Sequence, residues 1–158
     1  MHSRAVHIRP FAPPDRARLI ELMIELQAFE RQFDADYAAA DEAFGAWYID
    51  RLLRELEERR GVLLVAVDDD VPCGFAAGFP EEHAEAQSWC FYIAELVVSE
   101  SRRSRGTGTQ LVRAMEEIAR ARGLAAIVIG VLAGSTRVHR LYQRLGFRDY
   151  AIRLKKML

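Results

Sequence analysis

Positive charge is missing from the middle of this chain. Residues 61–100 hold eight acidic side chains and no Lys or Arg, a balance of −8. With a net charge of −1 over 158 residues, the chain is not basic overall, and a nucleic-acid partner is not expected. Cysteine is scarce: Cys73 and Cys90 stand alone, without metal-site spacing, and read as buried free thiols of a reducing compartment rather than as a disulfide. The four histidines, His2, His7, His83 and His139, share no ligand spacing, so no metal is expected, and no Ser-His-Asp arrangement is recognisable. Long apolar runs are absent as well. The longest uncharged stretch, Gly123 to Thr136, contains three glycines and is too short to span a bilayer, so no membrane role is expected. Met1-His2-Ser3-Arg4 leads directly into strand-like sequence, which predicts no signal peptide and makes the cytoplasm the default location. Without linkers, repeats or low-complexity segments, residues 1–158 read as a single domain with a proper core.

The charge missing from the middle gathers after it. Residues 101–158 carry thirteen Lys or Arg against three acids, a balance of +10. Two readings stand: a solvated surface whose charges segregate, or a field that draws an anionic ligand to one end and a cationic one to the other.

Val6-His7-Ile8-Arg9 alternates apolar and polar residues and predicts a half-buried strand, stopped by Pro10 to Pro14. Pro14-Asp15 predicts a helix start, with Leu19, Leu22, Met23, Leu26 and Phe29 at helical spacing to about Glu30. A loop over Gln32 to Ala40 follows. A second helix, from about Asp41 to Arg60, is expected to bury Phe44, Tyr48, Leu52, Leu53 and Leu56 and to end at Gly61. Val62 to Val67 and Cys73 to Phe79 predict antiparallel strands joined by Asp68-Asp69-Asp70. Glu81 to Gln87 reads as an acidic loop, and Trp89 to Val98 as a fourth strand, apolar except for Glu95. A helix to about Arg122 follows, and Ala126 to Leu132 then reads as a parallel strand covered on both faces. Gly134-Ser135-Thr136 caps a last helix, and Phe147 to Leu154 adds one or two strands. The order predicts an α/β fold of three layers, a mixed central sheet of six or seven strands with about four helices.

The junction from Glu95 to Leu111 joins a strand to a helix through a turn rich in glycine and arginine. The first N–H groups of a helix have no partner within it, and its dipole places about half a positive charge there. Gly106 and Gly108 let the backbone approach a ligand closely, and Arg102, Arg103 and Arg105 add forked donors for phosphate oxygens. The turn is not a P-loop, since no Lys follows its glycines. Nor is it a dinucleotide fingerprint, which needs Gly or Ala where Leu111 stands. Arg103-Ser104-Arg105-Gly106-Thr107-Gly108 has instead the form Arg/Gln-x-x-Gly-x-Gly/Ala.

In that run, in the opening Ile8-Arg9-Pro10 and in the closing His139-Arg140-Leu141-Tyr142-Gln143-Arg144-Leu145-Gly146-Phe147, nearly the whole chain resembles the GCN5-related N-acetyltransferases, the GNAT superfamily. Val98 to Arg103 follows the family's Val-x-Pro-x-x-Arg run, with Glu100 in place of proline. The resemblance implies a GNAT fold and acetyl-CoA as co-substrate, without a metal. It assigns cofactor contact to Leu96, Val97 and Val98, whose strand pairs with the pantetheine arm through its carbonyls. It also assigns Arg103, Ser104, Arg105, Gly106, Thr107, Gly108 and Thr109 to the diphosphate, with Ser135 and Tyr142 further on. Ser135 departs from the family's asparagine, so its contact with the cofactor is open beside a purely structural capping role. The family also implies a thioester lying between splayed fourth and fifth strands, and dimerisation is frequent in it.

Acyl transfer to an amine needs an unprotonated amine, a polarised carbonyl and a proton for the departing thiolate. An alkylamine has a pKa of about 10.4, so at neutral pH it must lose a proton, which a carboxylate near the site can accept directly or through water. Glu95 is the candidate base, because an acid in an apolar strand is costly without a role; the competing reading is a salt-bridged or edge-exposed carboxylate. Tyr142, in the family's Leu-Tyr-x-x-x-Gly-Phe segment, is the candidate acid for the thiolate. Its competing reading is an aromatic that packs the last helix on the sheet. Glu30, Tyr37, Trp89 and Tyr92 are assigned to the acceptor pocket, near Asp34, Asp36 and Trp47, where acids suit a cationic amine or are simply solvated. The expected function is acetyl transfer to a primary amine of a small molecule within a ternary complex. The rivals are a protein or peptide acetyltransferase and a non-catalytic acyl-CoA-binding regulatory module.

Overall fold

Leu63, Val65 and Val67 point to one side of strand β2 (Val62–Asp68), Leu64 and Ala66 point to the other, and all five are buried. A strand buried on both faces needs a layer on each side. In the computed structural model, which describes residues 6–158, α1 (Arg16–Glu30) and α2 (Glu42–Glu58) cover one face and α3 (Thr107–Ala121) covers the other. Residues 1–5, read above as lacking a signal peptide, lie outside the described residues. The remaining elements are β1 (His7–Pro10), β3 (Val71–His83), β4 (Ser88–Val98), β5 (Ile127–Ile129) and α4 (Thr136–Arg144). The sheet runs β1-β2-β3-β4-β5, antiparallel except for the parallel β4–β5 pair. The expected three-layer α/β architecture with a mixed sheet and four helices is present among the described residues.

The helices form where the apolar spacing predicts, with local corrections. Asp41 caps α2 by accepting from the Phe44 N–H at 2.8 Å. The buried face of α2 is Gly45, Ile49, Leu52 and Leu56, one residue round from the expected stripe. A Cβ on Gly45 would come within 2.9–3.1 Å of Ile24 and Ile20, so α1 and α2 press together there. Phe44 and Tyr48 are left half-buried at the edge of the cluster. Both cysteines are buried and unpaired.

Pro13–Asp15 forms a 3₁₀ turn, so α1 begins at Arg16 rather than at Asp15. Asp15 is buried and accepts from Arg9 Nη1 and Nη2 at 2.7 and 2.8 Å and from the Ala12 N–H at 2.9 Å. The hydrogen bonds from Arg9 hold its carboxyl below the usual range. Asp15→Ala leaves Arg9 and the Ala12 N–H without this partner and is expected to destabilise the fold by roughly 3 kcal/mol, read from a denaturant midpoint. Because the folded carboxyl titrates below its unfolded value, the wild-type contribution is present above the unfolded pKa and is lost as pH falls through the folded one.

Three sequence expectations for the sheet are corrected. β3 extends to His83, so Glu81 and Glu82 are strand rather than loop, paired with Cys90 and Trp89. Arg59 steadies this extension, its guanidinium 3.8 Å from the Phe79 ring centroid and 3.5 Å from Glu81. β5 is three residues instead of seven, and the sheet has five strands, not six or seven. Phe147 to Leu154 forms no strand, and Ile152 and Leu154 are exposed. The reason is the edge available to it: β5 is too short to template another strand. The tail is tied elsewhere, His139 Nε2 to Asp149 at 2.5 Å and Lys155 Nζ to Asp34 at 2.6 Å and Asp36 at 3.1 Å.

The register of β4 positions the site. Ala77 lies opposite Glu95, but Gly78 lies opposite Ile93, so Ala94 is an extra residue in β4, a bulge. Before it, Phe91 and Ile93 face α3 while Tyr92 and Ala94 face α1 and α2. After it, Leu96 and Val98 face α3 and Val97 faces the other side. The inserted residue inverts the alternation and turns Glu95 toward α1 and α2. The parallel pairing with β5 also stops there, at Ile93 and Ile129, and the two strands part.

Candidate active site

The cleft between the parted strands is lined by Ala94, Glu95 and Leu96 of β4, Ile129 to Leu132 from β5 onward, Leu26, Phe29, Glu30 and Phe33 at the end of α1, and Ser135, Val138 and Tyr142 at α4. It encloses about 540 Å³ counting the space open to solvent. No Lys or Arg lines it.

Glu95 is the half-buried acid of this cleft, beside Glu30. Desolvation pushes its carboxyl up to about 7, opposed by a hydrogen bond donated from the Tyr48 hydroxyl to Oε1 and by Arg51, and reinforced by Glu30 and Glu55. Among the described residues it has no salt bridge, and it is half-buried where β4 has parted from β5. Glu30 closes α1 at the same cleft, with its own carboxyl raised by burial. Tyr142 is 6% exposed, packs at 5.7 Å against Phe147, and has its phenol pushed above the ordinary range by burial, then by Glu30 and Glu95. A phenol so placed keeps its proton at neutral pH and can donate it, while Glu95 near 7 exchanges one.

The glycine turn lies at the other end of β4. Gly106, at φ +85, precedes α3, which begins at Thr107 rather than Thr109. The N–H groups of Thr107, Gly108 and Thr109 are in the first turn, before the helix ladder begins with the Gln110 N–H to the Gly106 carbonyl. A Cβ on Gly106 would meet nothing within 4 Å, and Ser104 also sits at positive φ, +66. Thr107 is 2% exposed, and its Oγ1 is the one buried side-chain polar atom without a partner among the described residues. Open backbone donors, a glycine and an orphaned hydroxyl at a helix N-terminus fit the diphosphate of an acyl-CoA.

Two of the three arginines are engaged by neighbouring elements of the fold. Arg102 pairs with the buried Asp68. Arg103 donates from Nε to the Val98 carbonyl at 3.1 Å and lies 5.0 Å from the Phe29 centroid, so both it and that carbonyl have partners within the fold. Arg105 is exposed. Arg137, which the sequence reading passed over, donates from α4 to Ser104 Oγ and ties the last helix to the turn.

Of the other residues singled out, Leu96 lines the cleft and Val97 is core. Ser135 lines the cleft at the N-cap position, but its hydroxyl makes no capping bond, which corrects the expected side-chain cap. Tyr37 and Tyr92 are not in the cleft lining; each phenol is raised by burial first and is close enough to feel Glu95. Tyr92 packs on Phe79 at 5.6 Å. Trp89 is not brought to the site: it is 55% exposed at the far end of β4, opposite Glu82. Trp47 is exposed on α2, with its ring 6.0 Å from Tyr48. Tyr48 was read as a core position only; its partner lies 47 residues away and no local signal marks it.

Among the described residues, no group of three or more potential metal ligands gathers, and no helix is long and apolar enough to cross a membrane. No curated protein sequence matches the chain. Among solved structures, the BH1408 protein of Bacillus halodurans, as a tetramutant, is similar with a TM-score of 0.84 at 21% identity, covering 96% of this chain and 99% of that one. Glucosamine-6-phosphate N-acetyltransferase of Arabidopsis thaliana has a TM-score of 0.70 at 16% identity, covering 98% and 99%. Ribosomal-protein-alanine N-acetyltransferase of Brucella melitensis biovar Abortus 2308 has 0.66 at 18%, covering 96% and 100%. These likenesses show the fold. The family model of the acetyltransferase (GNAT) family matches residues 21–147, and with that span, the strand–glycine turn–helix and the α4 tyrosine all inside it, the chain belongs to the GNAT acetyltransferase family.

Proposed function

We propose that this protein transfers the acetyl group of acetyl-CoA to a primary amine of a small cationic molecule, by direct attack within a ternary complex. The observation that carries this reading is the cleft: it holds two carboxylates and one phenol and is lined by no cationic side chain. Acetyl-CoA supplies the acetyl group as a thioester and departs as the thiol.

The acceptor reaches the cleft as an ammonium, which Glu30 and Glu95 attract. Glu95 then takes the proton. Against an amine of pKa about 10.4, an ordinary carboxylate is a poor base; one raised to about 7 closes more than two units of that gap. The same apolar walls disfavour the ammonium and narrow the remainder. Tyr142 holds a proton for the departing sulfur, whose thiol has a pKa of about 8.5. The α3 N-terminus, Gly106 and Thr107 hold the diphosphate, and β4 at Leu96, which lines the cleft, holds the pantetheine arm.

The test is release of free thiol from acetyl-CoA across polyamines, aminoglycosides, amino acids and lysine peptides. Turnover is expected with polycationic small amines. Turnover with peptides alone would move the assignment to a protein acetyltransferase, and tight acetyl-CoA binding without turnover on any amine to a regulatory module.

A further inference from the structure

Tyr48 projects from the second turn of α2 and is half-buried against the α1–α2 cluster. Its ring is held by Phe44 at 5.5 Å and Trp47 at 6.0 Å, with the Arg51 guanidinium 5.7 Å from its centroid. Its hydroxyl donates to Oε1 of Glu95, a residue that reaches this face only through the bulge at Ala94.

We propose that Tyr48 is a positioning residue that holds the Glu95 carboxylate by Oε1 and keeps it in the base form. The inference rests on the reading of Glu95 as the base. Two physical effects support it. A hydrogen bond donated to a carboxylate favours its ionised form and so opposes the desolvation that raises Glu95. With Oε1 occupied, Oε2 is the oxygen left to take a proton from the acceptor. Tyr48 remains a donor throughout, because burial and the neighbouring Glu95 raise its own phenol well above the ordinary value.

The groups around Glu95 do not supply this role otherwise. Arg51 of α2 also favours the carboxylate, but by charge alone. Glu55 of α2 and Glu30 of α1 oppose ionisation. Tyr92 of β4, Tyr37 of the α1–α2 loop and Tyr142 of α4 feel its charge and make no hydrogen bond to it among the described residues. A packing reading, in which Tyr48 only fills space and its hydroxyl does not act on Glu95, predicts a change in stability without a change in titration.

Tyr48→Phe separates the two, since it removes one oxygen and keeps the ring. The direct readout is titration of the Glu side-chain carboxyl carbons by NMR on ¹³C-glutamate-labelled protein, with Glu95 assigned by the resonance missing in Glu95→Gln. Glu95 is expected to titrate about one pH unit higher in Tyr48→Phe than in wild type. In turnover, the acid limb of kcat/KM for the amine should move up by the same amount, with KM for acetyl-CoA unchanged. An unmoved Glu95 titration overturns the proposal, whatever the thermal midpoint does. If Glu95 shifts as expected while Glu95→Gln keeps full activity, the positioning stands and the reading of Glu95 as base is what fails.

Discussion

Tyr142→Phe is expected to lower kcat for acetyl transfer roughly 10²-fold, the ordinary scale of a lost general acid, while KM for acetyl-CoA stays within about twofold. The substitution keeps the ring against Phe147 and the helix on the cleft. It removes only the hydroxyl of a side chain that lines the cleft. Stability should therefore stay within about 0.5 kcal/mol of wild type. That separation matters, because a purely packing tyrosine predicts an unchanged rate, and a misfolded variant predicts loss of acetyl-CoA binding along with the rate. Steady-state kinetics and a thermal melt on the same preparation decide among the three.

Glu95→Gln should show two effects of opposite sign. The amine kcat/KM is expected to fall roughly 10²-fold, and the acid limb near pH 7 in the wild-type profile should disappear. Stability should move the other way. Glu95 has a folded pKa raised above its unfolded value, so its favourable contribution is present below the unfolded pKa and is lost as pH rises to about 7. Above that, the buried carboxylate costs about 3 kcal/mol relative to its protonated form, for a shift of this size. The glutamine keeps an acceptor for the Tyr48 hydroxyl and carries no charge. At pH 8 the variant should therefore unfold at higher denaturant than wild type, while at pH 4 the two should converge. A variant equally stable at both values would mean that the carboxylate is solvated, which removes the reason for reading it as a tuned base.

The chain made much of this visible beforehand. The order of the helices and of the first five strands, the glycine turn and the candidate side chains Glu95 and Tyr142 were all legible in apolar spacing, one misplaced acid and two short motifs. What stayed hidden depends on pairing across distance. Glu95 was found as an oddity in an apolar strand, yet strict alternation from Phe91 and Ile93 would have placed it on the α3 side. Only the register against Gly78 reveals the extra residue at Ala94 that turns it round. Tyr48 and Arg137 were missed because their partners lie 47 and 33 residues away. Trp89 was assigned to the pocket with Glu30 and Tyr37, although strand rise carries it away from Glu95 to the start of β4. The expected strand after Phe147 failed for a related reason. A stretch that could extend becomes a strand only where a sheet edge exists to receive it.

The tie between Lys155 and the Asp34–Asp36 pair has a chemical corollary. Hydrogen bonds to both carboxylates raise this amine above its ordinary value and keep it an ammonium. A protonated nitrogen has no lone pair to offer a thioester. Lys155 is one of only two lysines in the sequence, and it lies over the loop beside Tyr37. A lysine is an ammonium at neutral pH in any case, and the tie to Asp34 and Asp36 also fixes where this one sits, pinning the C-terminal tail over the loop between α1 and α2.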